Sequence, residues 1–165
     1  MQRHSTCNSA HNNMKMALTN VEITKVLKKY TPDLFHCVFA YDQFDPKHCP
    51  YVPIAIVCNT LPIAKTTGGH WVVLFLDSER KGIYFDSGGL EPYGKFRQFF
   101  NRHAIYTVYN QKVLQLNDFS CGYHVIYFVT QIKKRKTLKK ILYSYNSHFD
   151  TDDMVIRYYK MLRTA

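Results

Sequence analysis

No stretch of this chain holds the roughly eighteen consecutive apolar residues that a membrane-crossing helix requires. Residues 1–15 are polar, rich in Asn, His and Ser, and lack the apolar core of a secretion signal. No CxxC pair occurs, and the five cysteines, at 7, 37, 49, 58 and 121, are odd in number and irregular in spacing. That speaks against a disulfide framework and fits a reducing, intracellular compartment. His36-Cys37 and His48-Cys49, with Cys58 beyond, lack the tight, regular spacing of zinc ligands. No metal is expected, and these thiols read as small buried apolar residues. Acidic residues are scarce too: 12 Asp and Glu against 22 Lys and Arg, for a formal charge of +10 and a pI near 9.4. Such a surplus favours polyanionic partners, nucleic acid or an acidic protein surface, or serves solubility alone.

What is present describes a globular protein. In 165 residues, 46% are hydrophobic, 15% aromatic and 21% charged, enough to bury a core and far from the composition of disorder. With no repeat, linker or second composition, residues 1–165 read as one domain, with 1–17 as a loose N-terminal arm. Thr19-Asn-Val-Glu22 reads as a capping box opening a helix that carries Val21, Val26, Leu27 and Tyr30 and stops at Thr31-Pro32. Short extended pieces follow between Phe35 and Tyr41, then a buried strand over Tyr51–Cys58. His70-Trp-Val-Val-Leu-Phe-Leu-Asp77 is the strongest strand, its continuous apolar run calling for burial on both faces. A hydrophilic turn separates it from a second strand, Ile83–Asp86, so the two form a hairpin-like pair. A short helix over 95–102, a strand over 105–116, a helix from Cys121 to about Ile132 and two helical pieces near 137–145 and 151–162 complete the pattern. The predicted class is α+β, a central mixed sheet flanked by helices.

Four residues can combine into chemistry. Thiol-based acyl transfer needs a thiolate, a base, a group that orients the base, and donors for the oxyanion. Cys121 stands at a loop-to-helix junction with Ser120 as a candidate N-cap, where free amides and the helix dipole favour negative charge. Gly122 leaves the backbone open to a close approach by substrate. His70 begins one strand and Asp86 ends the next, and in an antiparallel pair those ends lie side by side. Asp86 can then orient His70 towards Cys121, while Gln115 leads into the loop before Cys121 and can join its N–H at an oxyanion. Each residue alone has a plainer reading: His70 as structural, Asp86 as a turn residue, Cys121 as core. Their order and spacing together favour a cysteine hydrolase.

Gly69-His70-Trp71, Tyr84-Phe85-Asp86-Ser87, Gln115 and Ser120-Cys121-Gly122 resemble the His…Asp/Glu…Gln…Cys pattern of the adenovirus-protease and ubiquitin-like-protease clan. Within it the chain looks closer to the adenovirus (adenain-like) branch, which includes proteases of Polinton/Maverick elements. Ala40-Tyr41-Asp42-Gln43-Phe44 and Val57-Cys58-Asn59-Thr60, leading to Gly68-Gly69-His70-Trp71, carry that likeness. It is specific over residues 68–87 and 115–124 and loose towards the C-terminus. The resemblance implies the clan's protease fold and a Cys121, His70, Asp86 triad with Gln115 at the oxyanion hole. It also implies a narrow cleft lined by Trp71 and cleavage of virion precursors at Gly-containing sites, in the virion or host nucleus and cytoplasm.

Two departures stand out. Adenoviral enzymes have Glu-Pro where this chain has Asp86-Ser87, and no cysteine lies near Ala104 to tether an activating peptide covalently. DNA or a non-covalent viral peptide remain candidate activators. For DNA the candidate contacts are Lys133, Lys134, Arg135, Lys136, Lys139 and Lys140, which otherwise form a solvated helix end. A monomer acting on protein substrates is expected. The alternatives are a deubiquitinase or SUMO-type isopeptidase of the same clan, and a non-enzymatic nucleic-acid-binding domain that uses the basic segment.

Overall fold

A computed structural model describes residues 16–65 and 69–165. Cys7, Gly68 and nearly all of the expected N-terminal arm lie outside the described residues. Helix α1 (Asn20–Tyr30) opens on the expected capping box: Thr19 accepts from the Glu22 amide, and Glu22 accepts from the Thr19 amide in return. Its inward face differs from the one expected. Ile23, Val26 and Leu27 are buried, whereas Val21 is 69% exposed. The spacing 23, 26, 27, 30 keeps to one side of a 3.6-residue helix, and position 21 falls off it.

Five strands form one mixed sheet in chain order: β1 (Phe35–Phe39), β2 (Ile54–Asn59), β3 (Trp71–Leu76), β4 (Lys81–Asp86) and β5 (Tyr106–Tyr109). β1 runs parallel to β2, β2–β3 and β3–β4 are antiparallel, and β5 lies parallel to β4. The central strands read as unbroken apolar runs because both faces are covered. Ala55, Val57, Val73, Phe75 and Phe85 point to α1 and to α3 (Cys121–Lys133), and to α5 (Thr151–Thr164) beyond them. Ile54, Ile56, Cys58, Val72, Leu74 and Tyr84 point to the other side, where α2 (Gly94–His103) supplies Phe96, Phe99 and Phe100. Helix α4 (Leu138–Asn146) adds Ile141 and Tyr145 to the first layer.

Two expectations need correction. The strand expected over 105–116 pairs only from Tyr106 to Tyr109. Beyond it the buried Asn110 side chain takes over the pairing, accepting from the Asp86 amide at 3.0 Å and donating to the Asp86 carbonyl at 2.5 Å. The backbone is thereby released to turn away as an irregular segment. Of the half-chain thiols, Cys58 is fully buried but Cys37 and Cys49 are only half-buried, because β1 is an edge strand and Cys49 lies in a loop.

Candidate active site

The antiparallel register of β3 and β4 pairs Val72 with Asp86, which places His70, just before β3, beside the end of β4. His70 is fixed by its backbone: its N–H donates to Thr60 Oγ1 at 3.2 Å, and its carbonyl accepts from the Thr60 amide at 2.8 Å. Gly69 packs so closely on Asn59 that an added Cβ would lie 2.4 Å from Asn59 Oδ1. From that position the His70 ring donates through Nε2 to Asp86 Oδ1 at 2.6 Å. The same oxygen accepts the Gly88 amide at 2.7 Å, so the Asp86-Ser87-Gly88 turn aims the carboxylate as well as closing the strand. A Cβ on Gly88 would lie 3.0 Å from Asp86 Oδ1 and 3.9 Å from His70 Nε2. The dyad is closely walled.

With Nε2 engaged, Nδ1 is the ring nitrogen left for the Cys121 sulfur. Burial on its own lowers the His70 pKa. The hydrogen bonds to Asp86 and Cys121, with the charges beside them, outweigh burial and raise it to about 9. At neutral pH the ring is therefore protonated. Cys121 begins α3 and is only 3% exposed.

Gln115 is held from three directions. Its amide donates to the Ser87 carbonyl at 3.0 Å, its Oε1 accepts from Ser87 Oγ at 2.8 Å, and its Nε2 donates to the Asn117 carbonyl at 2.5 Å. Because a carbonyl can only accept, the Asn117 contact fixes which end of the Gln115 amide is the donor. One Nε2–H remains to point elsewhere. Gln115, His70, Asp86, Gly88, Leu90 and Leu116 border a concavity of about 440 Å³. Trp71 borders a second, of about 620 Å³, with Asn59, Gly69 and Leu61.

Other sequence expectations come out differently. Ser120 does not cap α3: its hydroxyl donates to Asp152 Oδ1 at 2.8 Å instead. Gly122 is buried, and a Cβ there would lie 3.0 Å from Leu18 and 3.4 Å from Ile23 and Trp71. Its missing side chain serves the packing of α3 against α1 and Trp71. Trp71 is further tied by its indole N–H to the Leu18 carbonyl at 3.1 Å. The basic residues lie at the opposite end of α3 from Cys121. Lys133 pairs with Asp33 and Lys134 lies over the Tyr158 ring, while Arg135, Lys136, Lys139 and Lys140 are exposed.

Sequence reasoning missed Thr60, Ser87, Asn110 and Asp152. Each acts through a side-chain bond to another element, and no periodicity reports that. The one local signal was Ser87, which directly follows Asp86.

No family model and no curated protein matches the chain. Among solved structures, the ASFV pS273R protease superposes with a TM-score of 0.68 at 18% identity, covering 89% of this chain and 66% of that one. A selenomethionine form of the same protease gives 0.55 at 20% identity over 76% of this chain and 61% of that one. The SUMO protease Ulp1, with its catalytic cysteine oxidised to a sulfonic acid, gives 0.45 at 13% identity over 89% and 81%. The chain thus spans just under two thirds of the length of the ASFV protease, and over that span it has the same mixed α+β fold.

Proposed function

We propose that the chain is a cysteine protease in which Cys121 is the nucleophile, His70 the acid–base and Asp86 the group that orients it. One observation carries the reading: His70 bonds Asp86 through Nε2 at 2.6 Å and is acted on by Cys121, the first residue of a buried helix. The fold shared with the ASFV pS273R protease supports it.

In the first half-reaction the Cys121 sulfur adds to the scissile carbonyl carbon and the π pair moves to oxygen. The Cys121 N–H and the free Nε2–H of Gln115 receive that oxyanion. As the tetrahedral species collapses, the C–N bond breaks and His70 Nδ1–H protonates the leaving amine. Water then gives its proton to Nδ1 and attacks the thioester, and collapse of the second tetrahedral species releases acid and restores the sulfur with the proton back on His70. Asp86 holds the imidazolium in register.

The substrate class follows from access. A sulfur at a residue only 3% exposed is reached by a slim backbone, and glycine is the residue without a side chain to obstruct it. We therefore assign cleavage at Gly-containing sites. The adenovirus-type features of the sequence favour virion precursors as targets, in the virion and infected-cell interior, with DNA as an activator held by the basic segment.

A Gly-rich peptide library with and without DNA, with Cys121→Ala as blank, tests all of this. Turnover that vanishes in the blank supports the protease. Labelling by iodoacetamide at neutral pH that shows no preference for Cys121 over the other cysteines sinks it. Preference for fluorogenic ubiquitin or SUMO conjugates over the peptides would make the enzyme an isopeptidase.

A further inference from the structure

Serine at the residue before a helix ordinarily caps it, with an extended backbone and its oxygen on a first-turn amide. Three other helices here follow that rule. Thr19, Thr137 and Asp150 are extended and accept from Glu22, Lys140 and Asp153. Ser120 breaks it, with φ −88° and ψ −7° and its hydroxyl turned away from α3. The Ser120 carbonyl accepts the amides of Tyr123 and His124, and no partner among the described residues takes those of Cys121 and Gly122.

What draws Ser120 away is the Asp152 carboxylate, in the first turn of α5 and 3% exposed. Its Oδ1 accepts from Ser120 Oγ at 2.8 Å and from His124 Nε2 at 2.8 Å. Its Oδ2 accepts from the Leu116 amide at 3.0 Å and from Asn117 Nδ2 at 2.6 Å. The Asn117 carbonyl in turn receives Gln115 Nε2. One oxygen therefore governs the residue before Cys121, and the other governs the two residues after Gln115. Both proposed oxyanion donors hang from a single carboxylate.

We infer that Asp152 is a positioning residue for the oxyanion hole: it keeps the α3 amides uncapped and sets Gln115 opposite them. The inference rests on the protease reading above. Burial raises the Asp152 pKa, but donation by His124 and Ser120 outweighs it and keeps the group below the usual carboxylate range. Burial also holds His124 below the usual imidazole value. The neutral ring donates Nε2–H to Asp152 and accepts from Tyr145 at Nδ1, 3.1 Å away. This second His–Asp pair does not reach the sulfur through any hydrogen bond, which separates it from the reacting dyad.

Asp152→Asn replaces one accepting oxygen with an NH2 group, so one of the two pairs of donors loses its acceptor. Three measurements on the full chain read the result. On a Gly-containing peptide, kcat should fall about 10- to 100-fold with KM unchanged, less than the roughly 100- to 1,000-fold for outright loss of an oxyanion donor because the donors are misplaced and not removed. Alkylation of Cys121 by iodoacetamide, which forms no oxyanion, should stay within about threefold. A peptide aldehyde should bind more weakly by about the factor lost from kcat. Its adduct forms when sulfur adds to the carbonyl carbon, the π pair moves to oxygen, and that oxygen sits in the hole.

Asn117→Ala, which cuts the Asn117 Nδ2–Asp152 Oδ2 tie behind Gln115 and leaves Ser120 in place, should show the same split at about tenfold, and it decides the matter if Asp152→Asn does not fold. Unchanged kcat in a folded variant overturns the inference. So does a loss of kcat matched by slower alkylation with aldehyde affinity intact. A wild-type chain without turnover removes the protease reading and this inference with it, whereas wild-type turnover that Asp152→Asn equals removes only this inference.

Discussion

His70 carries its proton at neutral pH because two partners outweigh the cost of burying it, and that has a thermodynamic sign. The unfolded imidazole titrates near 6.5 and the folded one at about 9. Between those values the folded state binds more protons, so this contribution is complete below pH 6.5 and lost as pH rises through 9. Thermal melts should therefore show a larger fall in Tm from pH 6.5 to 9.5 in the native chain than in His70→Gln. Asp86→Asn retains the shape but cannot stabilise the imidazolium, and kcat should drop by roughly two to four orders of magnitude in a steady-state peptide assay. A fully active Asp86→Asn chain would leave the third member of the triad unassigned. Asn110 holds the backbone of the same residue. It occupies both backbone groups of Asp86 inside the protein, and Asn110→Ala should cost about 2–4 kcal/mol in urea unfolding.

Strand β4 and helix α3 meet where Phe85 stacks on Phe128, with ring centroids 4.3 Å apart and planes 9° from parallel. Phe85 immediately precedes Asp86, and Phe128 lies on the helix that begins with Cys121, so this stack sets the distance between the two arms of the site. Phe128→Ala should lower stability by about 3–5 kcal/mol by equilibrium denaturation. Elements of this kind were legible in the sequence where one rule dominated. The capping box of α1, the apolar run of β3 and the β3–β4 hairpin all follow from short-range patterns. From the hairpin alone came the meeting of His70 with Asp86. The strand expected through Leu116 ended early because one side chain, Asn110, imitates a backbone partner. Ser120 met every local criterion for a cap and was claimed by a carboxylate 32 residues away. Spacing reads what lies on one element. It is silent on bonds that cross between elements.

At the scale of the molecule, α3 joins two chemically different ends. Cys121 stands at one end and the cluster beginning at Lys133 at the other, about 18 Å away at 1.5 Å per residue. DNA held at that cluster would not touch the reacting groups, so its role would be to concentrate enzyme and substrate on one polyanion. Lys136→Glu, Lys139→Glu and Lys140→Glu together should abolish stimulation by DNA and steepen no step of the DNA-free reaction, with basal kcat held within about twofold. Titration with DNA across a salt series checks it. Stimulation that survives the triple change would reduce the cluster to a solvated helix end.

The dependence on Asp152 also orders events in time. A ribosome delivers His70, Asp86, Gln115 and Cys121 first, and the carboxylate that ties the last two follows 31 residues after Cys121, on α5. Until that helix has emerged and docked, the chain holds every reacting group but not the bond network that sets them opposite one another. With Asp152 in the role proposed for it, proteolytic competence waits for the docking of α5, the last helix of the chain to be made.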